Sequence, residues 1–510
     1  MTLTSATLAG RQVAANPLIA KRYRADRRFR VYGIVALCVS AVFLLLLFVD
    51  ILSKGLPAFT EHRLVLRLTV DRAVIDPNDT KDPKVIAGGD FTGLVRGQLA
   101  SIFPQATSRA GRKKLTGLLS SGAAANLRTM VLADPSLISR EVGVSVLLSD
   151  DADQYLKGYQ TAIVRMPGQT TMTIAANGER YDLAVSPPGI SGLTSGDILR
   201  ANGGAFRVTA IESGVISGEP AIAPRSLDPV QPGNWDAVRF TVPESNRRVD
   251  DQAALYLEEL RDRGQIERGF AWRFLTSGDS REAELAGIRG ALVGSALMLF
   301  VTLALCLPIG VAAAIYLEEF AARNRLTQII EVNINNLAAV PSIVFGLLGL
   351  AMFLNFFGLP RSAPLVGGLV LALLVLPTII IAARAALRAV PPSIKEAAFG
   401  VGASHQQAIF HHVLPLAMPG IMTGTIIGMA HALGETAPLL MIGMVAFIVD
   451  VPSGFSDAAT ALPVQIYLWS DLPENAFQAK TAAAIIVLLV FLFIMNAAAI
   501  LLRRRFERRW

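Results

Sequence analysis

Six long, mostly apolar runs, uncharged except for His431 and Glu435 in the fifth, divide this chain and predict six membrane-spanning helices. A helix needs about 20 such residues to cross roughly 30 Å of hydrocarbon. The runs meet or approach that length, and they cover residues 31–49, 290–317, 332–360, 362–383, 413–449 and 481–502. The composition agrees with a membrane protein, because 52% of the residues are hydrophobic, only 17% are charged and the mean hydropathy is +0.48.

The first run follows Arg27, Arg28 and Arg30, and it is predicted to be a retained anchor helix over residues 31–53. A cleaved signal peptide is the alternative. The run is long for the apolar part of a signal peptide, and no small-x-small cleavage motif follows it. A retained anchor is therefore favoured.

The two ends of the chain are basic. Residues 1–30 carry seven Lys or Arg against one acid, and residues 503–510 carry five against one. Because basic residues favour the cytoplasmic side of a membrane, both termini and the loops around Arg323 and Arg384 are predicted to be cytoplasmic. The acidic loop 450–480 then faces outward. The net charge of +7 is thus explained by orientation in a bacterial inner membrane, and no nucleic-acid partner is predicted.

Residues 54–285 are predicted to form an extracytoplasmic insert between the first two spans. The insert carries 27 basic and 28 acidic residues, and it is long enough to bury a core of its own. The alternation of apolar and polar residues predicts strands at 162–165, 170–175, 181–185, 206–211 and 238–242, with helices at 115–132 and 250–264. The predicted fold is an all-α membrane protein of six transmembrane helices with an α/β insert. Residues 286–502 form its membrane core, with five of the helices.

The insert contains no recognisable chemical motif. Its single histidine, His62, argues against a metal site, and no spacing typical of a catalytic triad is present. No stretch of the whole chain has the Gly-x4-Gly-Lys-Ser/Thr pattern that cradles nucleotide phosphates. We therefore expect neither an enzyme nor a bound cofactor or metal.

A short polar island, residues 391–416, separates two apolar runs and predicts two small helices. Ser393 precedes Glu396 by three residues, and Ser404 precedes Gln407 by three, so each pair has the spacing of a helix capping box. Gly402 is predicted to separate the helices, and Pro415 to end the second. A compact helix–glycine–helix unit on a membrane surface suits docking by another protein. An ordinary amphipathic loop is the alternative.

A second candidate site lies inside the fifth run, where His431 precedes Glu435 by four residues. A helix would place both on one face. A carboxylate within an apolar span is costly, and such residues usually face a bundle interior or a water-filled path. Gly434 and Pro438 are expected to loosen the backbone nearby. The alternative is that Glu435 only fixes a neighbouring helix. His431 is equally consistent with a functional residue and with an interior histidine whose hydrogen bonds are satisfied.

Arg384 and Arg388 lie one helical turn apart at the predicted inner end of the fourth span. They are explained by anchoring at the cytoplasmic surface. The alternative is that they attract an anion near the inner exit of a pathway.

The motif Glu396-Ala397-Ala398, with Gly402, Leu414 and Pro415 in register, resembles the EAA loop of ABC importer permeases. The segment Gly434-Glu-Thr-Ala-Pro-Leu-Leu and the segment beginning Asn336-Leu-Ala-Ala-Val-Pro resemble PstA-type permeases of phosphate ABC importers over residues 285–505. Two positions depart from the pattern. His412 stands where an aliphatic residue is usual, and His431 stands where the family often has arginine.

The resemblance implies a six-helix permease of the type I ABC importer kind that works by alternating access. It implies that residues Glu396, Ala397, Ala398 and Gly402 dock an ATPase, and that Glu435 lies in the translocation region. We add Leu414 and Pro415, which fall in register with the motif, to the candidate docking residues. We add Thr436, His431 and Arg384 to the candidate pathway. The implied partners are a PstC-like second permease, two ATPase subunits and a periplasmic phosphate-binding protein, with phosphate as substrate and lipid around the helices.

Two alternatives remain at this point. The same machine could carry another oxyanion, such as sulfate or molybdate. A membrane-anchored sensor or assembly factor, in which the insert is the working part, would have no need of residues 393–415.

Overall fold

The computed structural model describes residues 17–106, 108–159, 163–178, 180–185, 192–212, 215–322 and 324–506. Some sequence predictions fall outside this part of the chain. They concern Arg11 of the basic N-terminal segment, Ala162 at the start of one predicted strand, Arg323, and the tail from 507 to 510.

A long helix, α1, begins the described chain and leads into the insert through one 3₁₀ turn. The helices of the insert are short, with 4 to 12 residues each. In chain order the helices up to the membrane core are α1 (Pro17–Gly55), α2 (Arg72–Ile75), α3 (Pro83–Ala87), α4 (Phe91–Ile102), α5 (Arg109–Thr116), α6 (Ala125–Ala133), α7 (Asp150–Leu156), α8 (Asp251–Asp262) and α9 (Trp272–Thr276).

Ten strands of the insert form two antiparallel sheets. A three-stranded sheet has the order β10-β1-β2, and a seven-stranded sheet has the order β3-β9-β6-β7-β8-β5-β4. The strands are β1 (Thr60–Thr69), β2 (Glu141–Leu147), β3 (Ile163–Pro167), β4 (Met172–Asn177), β5 (Arg180–Val185), β6 (Ile198–Ala201), β7 (Gly204–Glu212), β8 (Val215–Ile222), β9 (Asp236–Phe240) and β10 (Ile266–Phe270).

The five strands predicted from alternation are present as β3, β4, β5, β7 and β9, with shifted ends. The helix predicted at 250–264 is α8, whose N-cap Asp250 accepts a hydrogen bond from the Ala253 amide. The prediction of one helix over 115–132 was wrong. Two glycines, Gly117 and Gly122, lie between α5 and α6, and glycine stabilises a helix interior poorly. The chain therefore turns there.

The C-terminal half is helical. Its elements are α10 (Arg289–Ile315), α11 (Arg325–Ala338), α12 (Ser342–Gly349), α13 (Pro364–Arg388), α14 (Pro392–Gly400), α15 (His405–Gln407), α16 (Leu414–Gly434), α17 (Ala437–Met441), α18 (Leu462–Ser470) and α19 (Asn475–Phe506). Three π-helical segments extend them at Tyr316–Phe320, Leu350–Phe356 and Ala408–Val413.

Five helical segments in the described residues are long and apolar enough to cross a membrane. They are Lys21–Phe59, Arg289–Phe320, Pro364–Arg388, His405–Gly434 and Asn475–Arg505. A bent pair, Arg325–Ala338 with Ser342–Phe356, passes the same test together and would make six.

Two of the predicted spans are not single helices, and one of the two breaks lies at Gly434, where the sequence predicts a loosened backbone. The run 332–360 is not one straight helix, because its two halves meet at 101° next to Pro341, which cannot continue the helix before it. The run 413–449 does not form one helix either, since α16 ends at Gly434 and Glu435 has extended backbone angles. The apolar residues beyond Gly434 form the short helix α17 and a turn.

Small residues allow α16 to approach α13 closely. Gly420, Gly424 and Gly428 recur every four residues along one face of α16. A Cβ added at Gly424 would lie 2.2 Å from the Ala382 side chain, and one at Gly420 would lie 2.7 Å from that of Ala386. This small-xxx-small packing is typical of helix pairs in membranes.

Helix α10 packs on α13 in the same way. A Cβ at Gly368 would lie 2.5 Å from Val301, and the Thr302 hydroxyl donates a hydrogen bond to the Gly368 carbonyl at 3.2 Å. The three helices α10, α13 and α16 therefore form one tightly packed body.

The base of the insert is fixed to the membrane core by buried polar contacts. Asp279 accepts hydrogen bonds from Gln465 and from the Trp469 indole, both at 3.0 Å. Lys480, near the start of α19, is buried and donates at 2.5 Å to the carbonyl of Ala286, the residue directly after the insert. Since these groups are removed from water, separating the insert from the core would leave them unpaired.

A cluster of carboxyl groups lines a small cavity of about 30 Å³ beside Lys480. Burial raises the pKa of Asp150 to about 7, and the negative charges of Glu284, Asp151 and Asp153 add to this increase. Burial also raises the pKa of Glu284. Asp150 and Glu284 therefore hold protons in the folded protein at pH values where an unfolded chain would release them.

The first prediction concerns the pH dependence of this joint. A carboxyl group whose pKa is raised on folding destabilises the fold as pH rises from the unfolded value of 3.8 to about 7. Hydrogen exchange of the insert in detergent should therefore show less protection at pH 7.5 than at pH 5. Asp150→Asn should reduce this pH dependence, whereas the exposed Asp228→Asn should leave it unchanged. An unaltered pH profile in Asp150→Asn would contradict the assignment.

Candidate functional site

The first helix of the polar island, α14, begins with two prolines. Pro391 is its N-cap and Pro392 its first residue, a position where proline loses no hydrogen bond because the first amides of a helix are unpaired. The capping box predicted for Ser393 and Glu396 was wrong. Ser393 lies inside the first turn, so its side chain does not cap the helix.

Gly402 ends α14 in a left-handed conformation with φ +86°. Its amide donates to the Phe399 carbonyl at 2.9 Å, and the Ala403 amide donates to the Ala398 carbonyl at 3.0 Å. These two bonds form a Schellman motif, in which glycine is favoured because it has no Cβ. The predicted bend at Gly402 is confirmed.

The capping box predicted for Ser404 is also confirmed. The Ser404 amide donates to the Gln407 side chain at 2.9 Å, and the Gln407 amide donates to the Ser404 hydroxyl at 3.3 Å. Two unpaired backbone donors of α15 are satisfied by this exchange. The helix–glycine–helix geometry of the polar island is therefore set by local chemistry.

The second helix does not end at Pro415, contrary to the prediction. It continues from His405 through the π-helical Ala408–Val413 into α16, with Pro415 in the first turn of α16. Proline removes one backbone donor, and the wide π turn before it absorbs the irregularity. The polar island is therefore joined to α16 as one helical segment, His405–Gly434.

The tip of the polar island exposes apolar side chains as well as Glu396. Phe399 is 44% exposed and Val401 is 85% exposed, beside the exposed Ala397. Ala398 is buried, and Leu414 and Pro415 are half-buried away from this tip. Exposed apolar residues framed by polar ones are a feature that protein contact surfaces share. Phe399 and Val401 were missing from the predicted docking residues, although apolar residues inside a polar segment could have signalled them.

Contacts with the end of α10 hold the polar island in place. Lys395 donates hydrogen bonds to both carboxylate oxygens of Glu319, at 2.6 and 2.8 Å. The His405 Nε2 atom lies 3.0 Å from the Glu319 carbonyl oxygen, and its ring contacts Phe320 edge-on. The island is thus bound to a neighbouring helix as well as to its own flanking helices.

The second candidate site is at the other end of α16. His431 and Glu435 form a pair with a distance of 2.7 Å between Nε2 and Oε1. The side chain of His431 is 61% exposed and that of Glu435 is 19% exposed. Thr436 follows at the N-cap of α17. The contact matches the predicted four-residue spacing, although Glu435 itself stands just beyond the helix end.

Arg384 is separated from this pair. Its guanidinium lies 2.6 Å from Glu331 and 3.4 Å from Glu318, and its side chain is only 12% exposed. Arg388 pairs with Glu318 at 2.8 Å. Since Gly420 packs on Ala386 and Gly428 packs on Val375, Arg384 lies towards the polar-island end of α16. The structure thus groups Arg384 with the polar island, whereas Glu435 lies at the far end.

Comparisons with known proteins agree on the C-terminal half. Residues 306–508 match the family described as binding-protein-dependent transport system inner membrane component, and residues 16–165 match a domain of unknown function, DUF3333. Each match covers less than half of the 510 residues.

Three curated relatives are similar to this chain. The probable ABC transporter permease protein YqgI of Bacillus subtilis is 35% identical over 171 residues, which is 33% of this chain and 58% of that protein. The phosphate transport system permease protein PstA 1 of Mycobacterium tuberculosis is 32% identical over 211 residues, covering 41% and 68%. PstA 2 of Mycobacterium bovis is 36% identical over 173 residues, covering 34% and 56%.

The matched region therefore spans between 56% and 68% of the length of these relatives. PstA 1 is matched over more than two thirds of its length at 32% identity, and the permease family covers the membrane core of this chain. The chain belongs to the family of PstA-type ABC transporter permeases, multi-pass proteins of the inner membrane.

Proposed function

We propose that this protein is the permease subunit of an ATP-driven importer of inorganic phosphate and forms half of the translocation pathway. As a permease of this family it is a transporter subunit and not an enzyme, and a separate subunit carries the ATPase. The proposed partners are a PstC-like permease, two ATPase subunits and a periplasmic phosphate-binding protein. The exposed, glycine-bent polar island is the observation that carries the proposal.

The geometry of the polar island supports a docking role. Its tip carries Phe399 and Val401 in the open, while its other side is held by Lys395 and His405. An ATPase groove that enclosed the exposed residues would gain apolar burial. A movement of the island would pass to α16, because His405–Gly434 is one helical segment.

The pair of His431 and Glu435 supports a pathway role at the far end of α16. The backbone leaves the helix at this point, and such breaks at membrane depth are tolerated where they are buried or line a cavity. Alternating access would then follow from rocking of the packed helices between the polar island and this break. Arg384, paired with two carboxylates, is proposed as an inner-end charge and not as a free anion ligand.

Transport assays with purified complex decide between phosphate and other oxyanions. Proteoliposomes containing the four kinds of subunit should import radiolabelled phosphate in an ATP-dependent way, and sulfate and molybdate should not compete. Competition by sulfate would favour the other oxyanion importer. Lack of any ATPase bound to the purified protein would favour a sensor or assembly factor.

The second prediction concerns orientation. Both termini and the polar island are proposed to be cytoplasmic, and residues 54–285 extracytoplasmic. In a variant without Cys38 and Cys306, a single cysteine at Ser404 should resist a membrane-impermeant maleimide in intact cells. A cysteine at the exposed Asp228 should react. Labelling of position 404 from outside would exclude the docking role.

The third prediction concerns Gly402. A β-branched residue at φ +86° strains the backbone by about 1–3 kcal/mol, so Gly402→Val should displace the tip of the island. We expect normal membrane insertion, retained ATP hydrolysis and at least a severalfold loss of phosphate uptake. Gly400→Val is the matched control, because Gly400 has open space for a Cβ and lies outside the left-handed region. Equal losses in both variants would mean that the added side chain and not the bend is responsible.

The fourth prediction concerns Glu435. Glu435→Gln keeps the size of the side chain and removes the charge that faces His431. The uptake rate should fall by at least about tenfold, which requires only about 1.4 kcal/mol less stabilisation of the rate-limiting state. The complex should still assemble, as judged by co-purification. Asp471→Asn, in an exposed loop, should transport normally. If Glu435→Gln transports phosphate at the wild-type rate, Glu435 is only a packing contact and has no role in the pathway.

A further inference from the structure

We propose that Glu319 is a positioning residue that makes α10 move together with the docking helices. The inference rests on the proposed function, because it assumes that an ATPase drives the polar island. Glu319 lies outside the predicted docking and pathway residues. It is at the end of α10, far along the sequence from Lys395 and His405.

The local structure around Glu319 is unusual. The last turn of α10 is a π helix, Tyr316–Phe320, and π turns occur often at functional positions. Its two consecutive acids bind different partners. Glu319 binds Lys395 of α14, whereas Glu318 binds Arg384 and Arg388 of α13. The turn therefore connects α10 to the polar island on one side and to α13 on the other.

The burial of Glu319 separates this contact from ordinary surface ion pairs, which contribute little to stability. The Glu319 side chain is 4% exposed and that of Lys395 is 28% exposed. Lys395 approaches both carboxylate oxygens, and the Glu319 carbonyl accepts a further hydrogen bond from His405. Loss of Lys395 would leave a buried carboxylate without its cation, so the pair resists separation.

An apolar core lies directly behind this pair. It combines Ala314 and Ile315 of α10 with Leu387 of α13 and with Ile409 and Val413 of the π-helical segment before α16. Such a core packs these three elements against one another, but apolar contacts slide more easily than a directional charge pair. Glu319 supplies the directional link between α10 and α14, which are not adjacent in the sequence.

If the ATPase drives transport through the polar island, a displacement of the island must be passed on to several membrane-spanning helices. Helices α13 and α16 are covalently continuous with it, whereas α10 is not. Without the link through Glu319, α14 could shift against the packed body of α10, α13 and α16. ATP hydrolysis would then continue with less phosphate carried per ATP.

The test measures ATP hydrolysis and phosphate uptake by the assembled complex in the same proteoliposomes. In Glu319→Gln and in Lys395→Gln we expect phosphate imported per ATP to fall about tenfold, within the range usual for coupling between sites. In the double variant the phosphate imported per ATP should fall no further than in either single variant, because each single substitution already removes the same contact. The exchanged pair, Glu319→Lys with Lys395→Glu, should recover part of the ratio.

Arg325→Gln is the matched control, since Arg325 is an exposed basic residue at the start of α11. Its ratio should equal that of the wild type. A wild-type ratio in Glu319→Gln, or additive losses in the double variant, would overturn the link while leaving the proposed function intact. If the wild-type complex itself imports no phosphate with ATP, the proposed function and the link fail together.

Discussion

The close approach of α10, α13 and α16 is the constraint on which the membrane core depends. Lipid chains are as apolar as leucine, so helices in a membrane associate through close packing and hydrogen bonds. Glycine makes this approach possible, since a Cβ at Gly424 would come within 2.2 Å of Ala382. The Cys306 thiol adds a contact of 3.1 Å to the Ala372 carbonyl. The polar island and Glu435 occupy opposite ends of this packed body.

The insert is attached to the membrane core by buried contacts with α18 and by its connection to α10. The chain enters it directly from α1 and returns through α9 to α10. Asp279, Gln465 and Trp469 form a buried polar contact at the junction. The matched domain of unknown function, residues 16–165, supplies β1 and β2 of the sheet nearest this junction. That domain therefore contributes to the joint that holds the buried carboxyl groups beside Lys480.

The local parts of the candidate site were predictable because their causes lie within a few residues. Ser404 and Gln407 cap each other over one turn, and Gly402 adopts a backbone conformation that other residues avoid. The pair of His431 and Glu435 follows from helical spacing. The capping box predicted for Ser393 is not formed, because the two prolines before it start the helix earlier and Ser393 lies inside the first turn instead of at the N-cap.

The sequence by itself determined the apolar runs, the polar island and the family resemblance, because hydrophobicity and short motifs are properties of neighbouring residues. Only the tertiary structure decided that the run at 332–360 bends, that Pro415 lies inside a continuous helix, and that Arg384 is neutralised by two acids. It also joined Glu319 to Lys395 across 76 positions of sequence. Such contacts depend on how helices that are distant in the sequence pack together. A local sequence pattern does not specify which distant residue will become the contact partner.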